Sequence, residues 1–180
     1  MRRRHLIAGG LFLVTSTLSG GASTARDLEN TLYIDLSSGG RVVIEMLPDV
    51  APKHVARIKE LAREGFYDGV VFHRVIAGFM AQTGDPTGTG RGGSKKPDLP
   101  AEFSKVPFER GTIGMARTQD PNSANSQFFI CFDNASFLNG QYTVWGQVVE
   151  GMEHVDQIPK GEPPRNPGKM TKVQVAADAG

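Results

Sequence analysis

The stretch VVFHRVIAGFMAQTGD, which runs from Val70 to Asp85, decides the fold of this chain. Its β-branched and aromatic residues predict two short strands, over residues 70–76 and 79–83, with a break at an Ala-Gly pair between them. The Gly-Asp-Pro sequence that follows ends the second strand. The question that this stretch poses is why an arginine, Arg74, lies inside it.

Arg74 is the unusual residue of this stretch. Because side chains alternate across a strand, we expect Phe72 and Arg74 on one face, and Met80 and Gln82 together on one face of the next strand. A charged head group inside an apolar run is unfavourable unless it has a partner or a task. Two interpretations follow from this stretch alone: Arg74 acts in a site, or its head group reaches water from an edge strand.

The composition is that of a globular protein with one core. The chain has 180 residues, of which 39% are hydrophobic and 22% are charged. After residue 25 it holds 17 basic and 19 acidic residues, a net charge of −2. This balance gives no electrostatic argument for nucleic acid or an anionic membrane as a partner. The single cysteine, Cys131, excludes an intrachain disulfide, and its apolar surroundings predict a strand residue rather than a nucleophile.

Residues 1–25 are predicted to be a secretory signal peptide. A basic start, an apolar run over residues 6–18 and small residues up to Ala25 form the pattern, with cleavage expected after Ala25. The apolar run is too short for a mature transmembrane helix, so no stable membrane insertion is expected after cleavage; a retained anchor is the alternative. Arg3-Arg4 also resembles a twin-arginine signal, so export by the Sec or the twin-arginine route predicts a periplasmic or secreted protein.

The rest of the chain, residues 26–180, is predicted to be one domain of short strands. A hairpin is expected over 31–36 and 41–47, and further strands over 111–116, 126–132, 143–149 and 170–176. Helical periodicity predicts a helix from Pro52 that ends at Gly65, lying against a sheet or closing its open end, and a second over 151–158. Six to eight strands with two helices and no βαβ alternation favour an antiparallel barrel or sandwich.

The strand over 126–132 is the most apolar of the chain. Its parity places Phe128 and Ile130 on one face and Gln127, Phe129 and Cys131 on the other. A residue set of this kind is more often core than ligand pocket when only composition is considered. Whether the second face forms a site therefore depends on other observations.

A glycine-rich segment, Gly84 to Asp98, follows the opening stretch. Its pattern Gly88-x-Gly90-x-x-Gly93 formally matches a dinucleotide-binding fingerprint, but that motif requires a helix directly after it. The Ser-Lys-Lys-Pro sequence that follows does not start a helix cleanly. We therefore predict a surface loop, whose backbone can closely approach a ligand.

Three long stretches resemble the cyclophilin family of peptidyl-prolyl cis-trans isomerases. They are FHRVIAGFMAQTGDPTGTGRGG (72–93), MARTQDPNSANSQFFI (115–130) and FLNGQYTVWGQVVEGM (137–152), and the resemblance extends over residues 28–176. It implies a mainly β fold, a closed eight-stranded antiparallel β-barrel capped by two α-helices. The active groove is then on the outer face of the sheet, and neither a metal nor an organic cofactor is needed.

The resemblance assigns roles to the residues of the opening stretch. Arg74 resembles the catalytic arginine of the family, and Gln82 resembles the glutamine that orients it and contacts the substrate backbone. Phe129 is grouped with these two as part of the catalytic site. The residues that resemble the family's walls of the pocket for the proline ring are Phe79, Met80, Phe129 and Leu138.

The remaining predicted site residues bind the substrate around that pocket. Ala116 and Arg117 match the stretch whose backbone pairs with the peptide, and Gly90 and Gln127 belong to a neighbouring pocket. Arg117, Phe137 and Tyr142 stand where the eukaryotic pattern has asparagine, tryptophan and histidine. These choices resemble the bacterial secreted branch of the family, and we retain Phe137 and Tyr142 among the substrate-binding residues.

The implied activity is acceleration of rotation about Xaa-Pro bonds in proline-containing polypeptides. The implied role is in the folding of extracytoplasmic proteins, and the protein is expected to be a monomer. The peptide bond has a rotation barrier of about 18–20 kcal/mol, and no bond is broken, so no nucleophile is required. A rigid guanidinium that donates to the proline nitrogen favours the twisted state. Two alternatives are a non-catalytic prolyl-peptide-binding or chaperone module, and a small-ligand carrier built on an open barrel.

Overall fold

The computed structural model describes residues 25–180 of the chain. Eight strands form one antiparallel sheet: β1 Thr31–Leu36, β2 Arg41–Met46, β3 Arg74–Ile76, β4 Met80–Thr83, β5 Thr112–Met115, β6 Phe128–Cys131, β7 Val144–Glu150 and β8 Met170–Val175. The helices are α1 Pro52–Arg63 and α2 Met152–Asp156, with short 3-10 helices at Leu28–Asn30, Ser136–Leu138 and Ala176–Asp178. The predicted signal peptide, apart from Ala25, lies outside the described residues. In the described part of the chain, no helix is long and apolar enough to cross a membrane.

The predicted hairpin and first helix are confirmed. β1 and β2 pair in register from Thr31 opposite Glu45 to Asp35 opposite Arg41. α1 begins at Pro52, and it packs its apolar side against β8 and β7. Arg57 of this helix is buried, and it donates hydrogen bonds to the carbonyls of Pro97 and Asn125.

The predicted closed barrel is wrong. The sheet has the order β3-β4-β6-β5-β7-β2-β1-β8, and within residues 25–180 no ladder joins its end strands β3 and β8. The sheet is an open, curled half-barrel. Its ends approach each other where backbone hydrogen bonds join residues 69–72, just before β3, to residues 168–170, the last of which begins β8.

The chain around β3 explains why the barrel stays open. The predicted first strand of the opening stretch is shortened, and regular pairing starts only at Arg74. On its outer edge, Val75 exchanges two backbone hydrogen bonds of 2.8 Å with Gly161 of the proline-rich loop over residues 159–167. A loop rather than β8 therefore covers this edge, which protects it from pairing with another chain.

Both faces of the sheet are packed, and this arrangement creates the site. The inner face holds the main core, which includes Phe128, Ile130 and Trp145. The outer face carries a second cluster, which includes Met80, Phe129 and Leu138. Consecutive residues of β6 thus enter opposite clusters, as the predicted parity of Phe128 and Phe129 requires.

The parity predicted for Phe72 and Arg74 is wrong. Phe72 is fully buried in the main core, whereas Arg74 is half-exposed on the outer face. The two do not alternate as members of one strand because Phe72 precedes the start of β3. The pairing of Met80 with Gln82 on one face of β4 is confirmed, since Ala81 between them belongs to the inner core.

Candidate active site

The outer face of the sheet carries a cavity of about 120 Å³ at the level of β3, β4 and β6. The structure gathers nine of the predicted site residues around it: Arg74, Phe79, Met80, Gln82, Ala116, Arg117, Phe129, Leu138 and Tyr142. Gly90 and Gln127 line a neighbouring cavity instead. Phe137 lines neither; it is exposed, and its ring centroid lies 5.3 Å from that of Phe79.

A row of hydrogen-bonded polar side chains crosses the sheet between the two cavities. Arg74 stands opposite Gln82 in the β3–β4 ladder, and Arg74 Nη1 donates to Gln82 Oε1 at 3.4 Å. Gln82 Nε2 donates in turn to Gln127 Oε1 at 2.9 Å. Gln127 Nε2 then donates to the carbonyls of Gly90 and Gly92, at 3.1 and 2.8 Å. The row ties the orientation of Arg74 to the glycine-rich loop.

Arg74 has a second partner that the sequence did not indicate. Its Nε donates to Oε1 of Glu162 at 2.7 Å, from the loop that covers β3. Among the described residues, Arg74 Nη2 donates to no acceptor. The guanidinium is thus held at Nε and Nη1, and it keeps free N–H groups beside the cavity.

The apolar walls of the cavity are fixed by packing from behind. Met80, Phe129 and Leu138 are each less than 10% exposed. The ring of Phe129 stacks on Phe108 at a centroid distance of 5.7 Å and meets the edge of Tyr142 at 5.8 Å. These contacts hold the Phe129 ring in one orientation and thereby define this wall of the cavity.

Cys131 lies in the same outer-face cluster and is fully buried. Burial raises the pKa of its thiol to about 12, so the thiol stays protonated and unreactive at neutral pH. The prediction that Cys131 is a strand residue is confirmed by its place in β6.

The side chain of Arg117 connects two loops at the rim. Its guanidinium donates to the carbonyl of Gln141 from Nη2 at 2.7 Å and to that of Thr118 from Nη1 at 2.8 Å. Its Cζ also lies 4.4 Å from the ring centroid of Tyr142. The Arg117 charge therefore stays at the rim, where its side chain lines both cavities.

The neighbouring cavity is larger, about 550 Å³, and its lining is mostly polar loop. The predicted glycine-rich loop forms one wall, and no helix follows the Gly88-x-Gly90-x-x-Gly93 pattern. Asn125 also lines this cavity, and its carbonyl accepts a hydrogen bond from the buried Arg57. The dinucleotide interpretation is thus excluded by the local structure, as the sequence predicts.

Asp85 holds the glycine-rich loop in shape. Its carboxylate accepts hydrogen bonds from the backbone N–H groups of Thr87, Thr89, Gly90 and Gly92. Burial alone raises the pKa of this carboxyl, but the hydrogen bond from the Thr87 hydroxyl at 2.8 Å, together with those from the backbone, outweighs that effect and lowers the pKa to about 2. From the sequence, Asp85 is predicted only to end a strand; the signal for its role is an acidic residue at the start of a glycine-rich run.

The geometry defines a class of protein. The cavity pairs apolar walls with a guanidinium that has free donors, and no serine, cysteine, histidine or carboxylate is among its lining residues in the described chain. This arrangement suits a peptide segment with a compact apolar residue, held by hydrogen bonds and not attacked by a nucleophile. The fold and the site therefore define a β protein with an apolar cavity on the outer face of its sheet, beside a cationic hydrogen-bond donor.

Comparison with known families identifies the class more closely. The family described as cyclophilin type peptidyl-prolyl cis-trans isomerase/CLD matches residues 31–176, which include every strand and both helices. The chain belongs to this family of peptidyl-prolyl isomerases.

Individual relatives agree with this assignment. The chain is 53% identical to a probable peptidyl-prolyl cis-trans isomerase of Brucella suis, over 97% of each protein. It is 40% identical to peptidyl-prolyl cis-trans isomerase B of Bacillus subtilis, over 73% of this chain and 92% of that protein. The crystal structure of a cyclophilin from Hirschia baltica superposes with a TM-score of 0.78 at 30% identity, over 84% of this chain and 76% of the other.

A second solved structure carries information on ligands. It is a cyclophilin type peptidyl-prolyl cis-trans isomerase of Cryptosporidium parvum, crystallised in the presence of the dipeptide Ala-Pro. It superposes with a TM-score of 0.75 at 29% identity, over 81% of this chain and 98% of that chain.

Proposed function

We propose that the small cavity binds the proline ring of a polypeptide and that Arg74 is the catalytic residue for rotation about the Xaa-Pro bond. The observation that carries this proposal is the state of the Arg74 guanidinium. Its Nε and Nη1 are bonded to Glu162 and Gln82, while Nη2 keeps two N–H groups beside apolar walls. A fixed donor in an apolar setting is what the twisted peptide bond requires.

The chemistry follows from the electronic structure of the peptide bond. Resonance makes the C–N bond partly double, and the barrier to rotation is about 18–20 kcal/mol. When the bond twists, the lone pair localises on the proline nitrogen, which then becomes a hydrogen-bond acceptor. Arg74 donates more strongly to that nitrogen in the twisted state than in either planar isomer, so the twisted state is selectively stabilised. Every 1.4 kcal/mol of such selectivity corresponds to about tenfold in rate.

The apolar walls supply the other half of the mechanism. Met80, Phe129 and Leu138 exclude water from the ring, which strengthens the hydrogen bond from Arg74 by lowering the local dielectric. Gln82 orients Arg74 through its ladder position, and Ala116 and Arg117 border the path of the peptide backbone. The Ala-Pro dipeptide in the crystallisation of the Cryptosporidium parvum relative supports proline-containing peptides as ligands here.

A peptide titration tests the location of the site. A short peptide with an Ala-Pro bond, added to the 15N-labelled protein, is expected to shift the amide signals of Phe79, Ala116 and Phe129. The matched peptide with alanine in place of proline fills the cavity less completely, and it is expected to shift them far less. Shifts confined to a surface away from these residues would contradict the proposed site.

We further propose that the protein acts outside the cytoplasm, as a monomer, on folding polypeptides. The support is the pattern of residues 1–25 and the resemblance of Arg117, Phe137 and Tyr142 to the bacterial secreted branch. Mass spectrometry of the protein from separated cell fractions tests this proposal. A mature form that begins at residue 26 in the extracytoplasmic fraction is expected, and an intact N-terminus in the cytoplasm would refute it.

A further inference from the structure

Glu162 is the acidic partner of the Arg74 guanidinium. The ion pair joins Glu162 Oε1 to Arg74 Nε at 2.7 Å, and both side chains are about half exposed, at 54% and 43%. Glu162 lines neither the small cavity nor its larger neighbour. Its carboxylate therefore reaches Arg74 without occupying the space that a proline ring fills.

The loop that carries Glu162 is anchored on both sides of it. Before it, Gly161 exchanges two backbone hydrogen bonds with Val75 of β3, and Lys160 Nζ donates to the carbonyls of Asp156 and Ile158. After it, the ring of Pro164 is buried. Glu162 thus approaches Arg74 from a fixed backbone.

Gly161 has a backbone conformation that other residues rarely adopt. Its φ is +147°, and a Cβ at this position would lie 2.6 Å from Pro164 Cα. Glycine is therefore needed for the loop to pass so close to itself. Gly161 thus fixes the path of the backbone directly before Glu162.

We propose that Glu162 is a positioning residue for Arg74. Together with Gln82 it fixes the plane of the guanidinium, by bonding Nε while Gln82 bonds Nη1, so that the Nη2 donors stay directed to one place. A long arginine side chain loses conformational entropy when it hydrogen-bonds the twisted peptide bond. A partner that already restricts the side chain before the substrate binds makes this entropy loss smaller. This inference rests on the proposed catalytic role of Arg74.

A carboxylate also has an opposing effect, because it partly neutralises the cation. That effect is weakened here because water screens a half-exposed pair. The contact is made at Nε, so both Nη2 hydrogens remain available. Positioning is therefore the larger of the two effects, and removal of Glu162 is expected to slow catalysis rather than accelerate it.

The test compares steady-state isomerisation of an Ala-Pro peptide by the wild-type protein and five variants. Glu162→Ala is expected to lower kcat by about three- to fivefold with little change in KM, the scale of an exposed ion pair. Glu162→Gln keeps an oxygen acceptor for Nε–H and is expected to recover most of the rate. Glu153→Ala, an exposed acid on α2 that pairs with His154, is the matched control and is expected to leave the rate unchanged.

Arg74→Ala and the double variant Arg74→Ala/Glu162→Ala separate this inference from the one on which it rests. If Arg74 is catalytic and Glu162 positions it, Arg74→Ala is nearly inactive and the second substitution changes nothing further. If Arg74→Ala is inactive while Glu162→Ala keeps the wild-type kcat, only the positioning role is refuted. If Arg74→Ala is active, the proposed catalytic residue itself is wrong.

A spectroscopic measurement supports the kinetics. The Arg74 Nε–H proton is expected to exchange slowly with water in the wild-type protein and in Glu162→Gln, and to exchange faster in Glu162→Ala. A faster rate of isomerisation in Glu162→Ala, or unchanged exchange of this proton, would overturn the proposal.

Discussion

The guanidinium of Arg117 lies over the ring of Tyr142, with 4.4 Å between Cζ and the ring centroid. The same ring is nearly perpendicular to that of Phe129, at a centroid distance of 5.8 Å and an interplanar angle of 86°. Tyr142 thus links the charged rim of the groove to its apolar wall. Both contacts use the ring of Tyr142 rather than its hydroxyl group.

Removal of the Tyr142 ring is expected to weaken substrate binding. Tyr142→Ala removes the ring contact of Arg117 and exposes one side of Phe129, and a cation–π contact at an exposed site is worth about 0.5–1 kcal/mol. We therefore expect KM for an Ala-Pro peptide to rise about two- to fivefold. Tyr142→Phe is the matched control, since it keeps the ring, and it is expected to behave as the wild type. Equal losses in the two variants would mean that the hydroxyl group, not the ring, is what matters.

Gly114 on β5 leaves room for the aromatic stack behind the cavity. A Cβ there would collide with Phe129 Cζ and lie 2.6 Å from Phe108 Cε1. Gly114→Ala is therefore expected to displace the Phe129 ring, to lower the free energy of unfolding by about 1–3 kcal/mol and to reduce activity. Gly168→Ala, whose Cβ would be 3.4 Å from Pro159 Cδ, is the control for urea unfolding and isomerisation. An active and fully stable Gly114→Ala protein would show that the wall is more adaptable than its packing indicates.

Asp85 is expected to stabilise the protein in a pH-dependent way. Its pKa is about 2 in the folded protein against an ordinary value of 3.8, so its stabilisation is complete above about pH 4. It is lost as the pH falls from about 4 towards 2, where the folded form also takes up a proton. At pH 7, Asp85→Asn is expected to lower the free energy of unfolding by about 2 kcal/mol, since each pKa unit corresponds to about 1.4 kcal/mol.

Urea unfolding at pH 7 and at pH 3 checks this expectation. The difference between the wild type and Asp85→Asn should shrink clearly at pH 3, because the other shifted carboxylates are common to both proteins. A difference that stays constant across this range would show that the carboxylate charge is not what holds the loop. The loop also carries the carbonyls of Gly90 and Gly92, so weaker peptide binding is expected in the same variant.

The features that the sequence predicts well are those that depend on neighbouring residues. Alternation over a few positions was enough to place Phe128 and Phe129 on opposite faces of β6, and helical spacing with Pro52 was enough to define α1. The same logic failed for Phe72. Alternation holds only within a strand, and no local signal marked that β3 begins after this residue.

Long-range contacts could not be predicted in this way. The closed barrel depended on the meeting of two segments that are far apart in the chain, and the loop at Gly161 occupies the edge of β3 instead. The Glu162–Arg74 pair joins residues 88 positions apart. Likewise, Glu102 caps the start of α1, accepting from the backbone N–H groups of Lys53 and His54, although no pattern connects these segments.

The family resemblance supplied what local patterns could not. It brought Arg74 and Leu138 into one prediction although they lie on separate parts of the chain, and the structure places both around the same cavity. It implies no role for Glu162, which lies beyond the last of the three matching stretches. Asp85 lies inside the first stretch, but the resemblance assigns it no role. Those two residues became visible only through their contacts.

The most direct test of the catalytic role of Arg74 is exchange NMR of an Xaa-Pro peptide with the wild-type protein, Arg74→Ala and Arg74→Lys. The wild type is expected to accelerate isomerisation. Arg74→Ala is expected to keep the same melting temperature and peptide binding, but to lose about 100-fold or more in rate, the scale of a lost transition-state donor. Arg74→Lys keeps the charge without the rigid fork and is expected to fall between them. A folded Arg74→Ala protein with a near-normal rate would contradict the account.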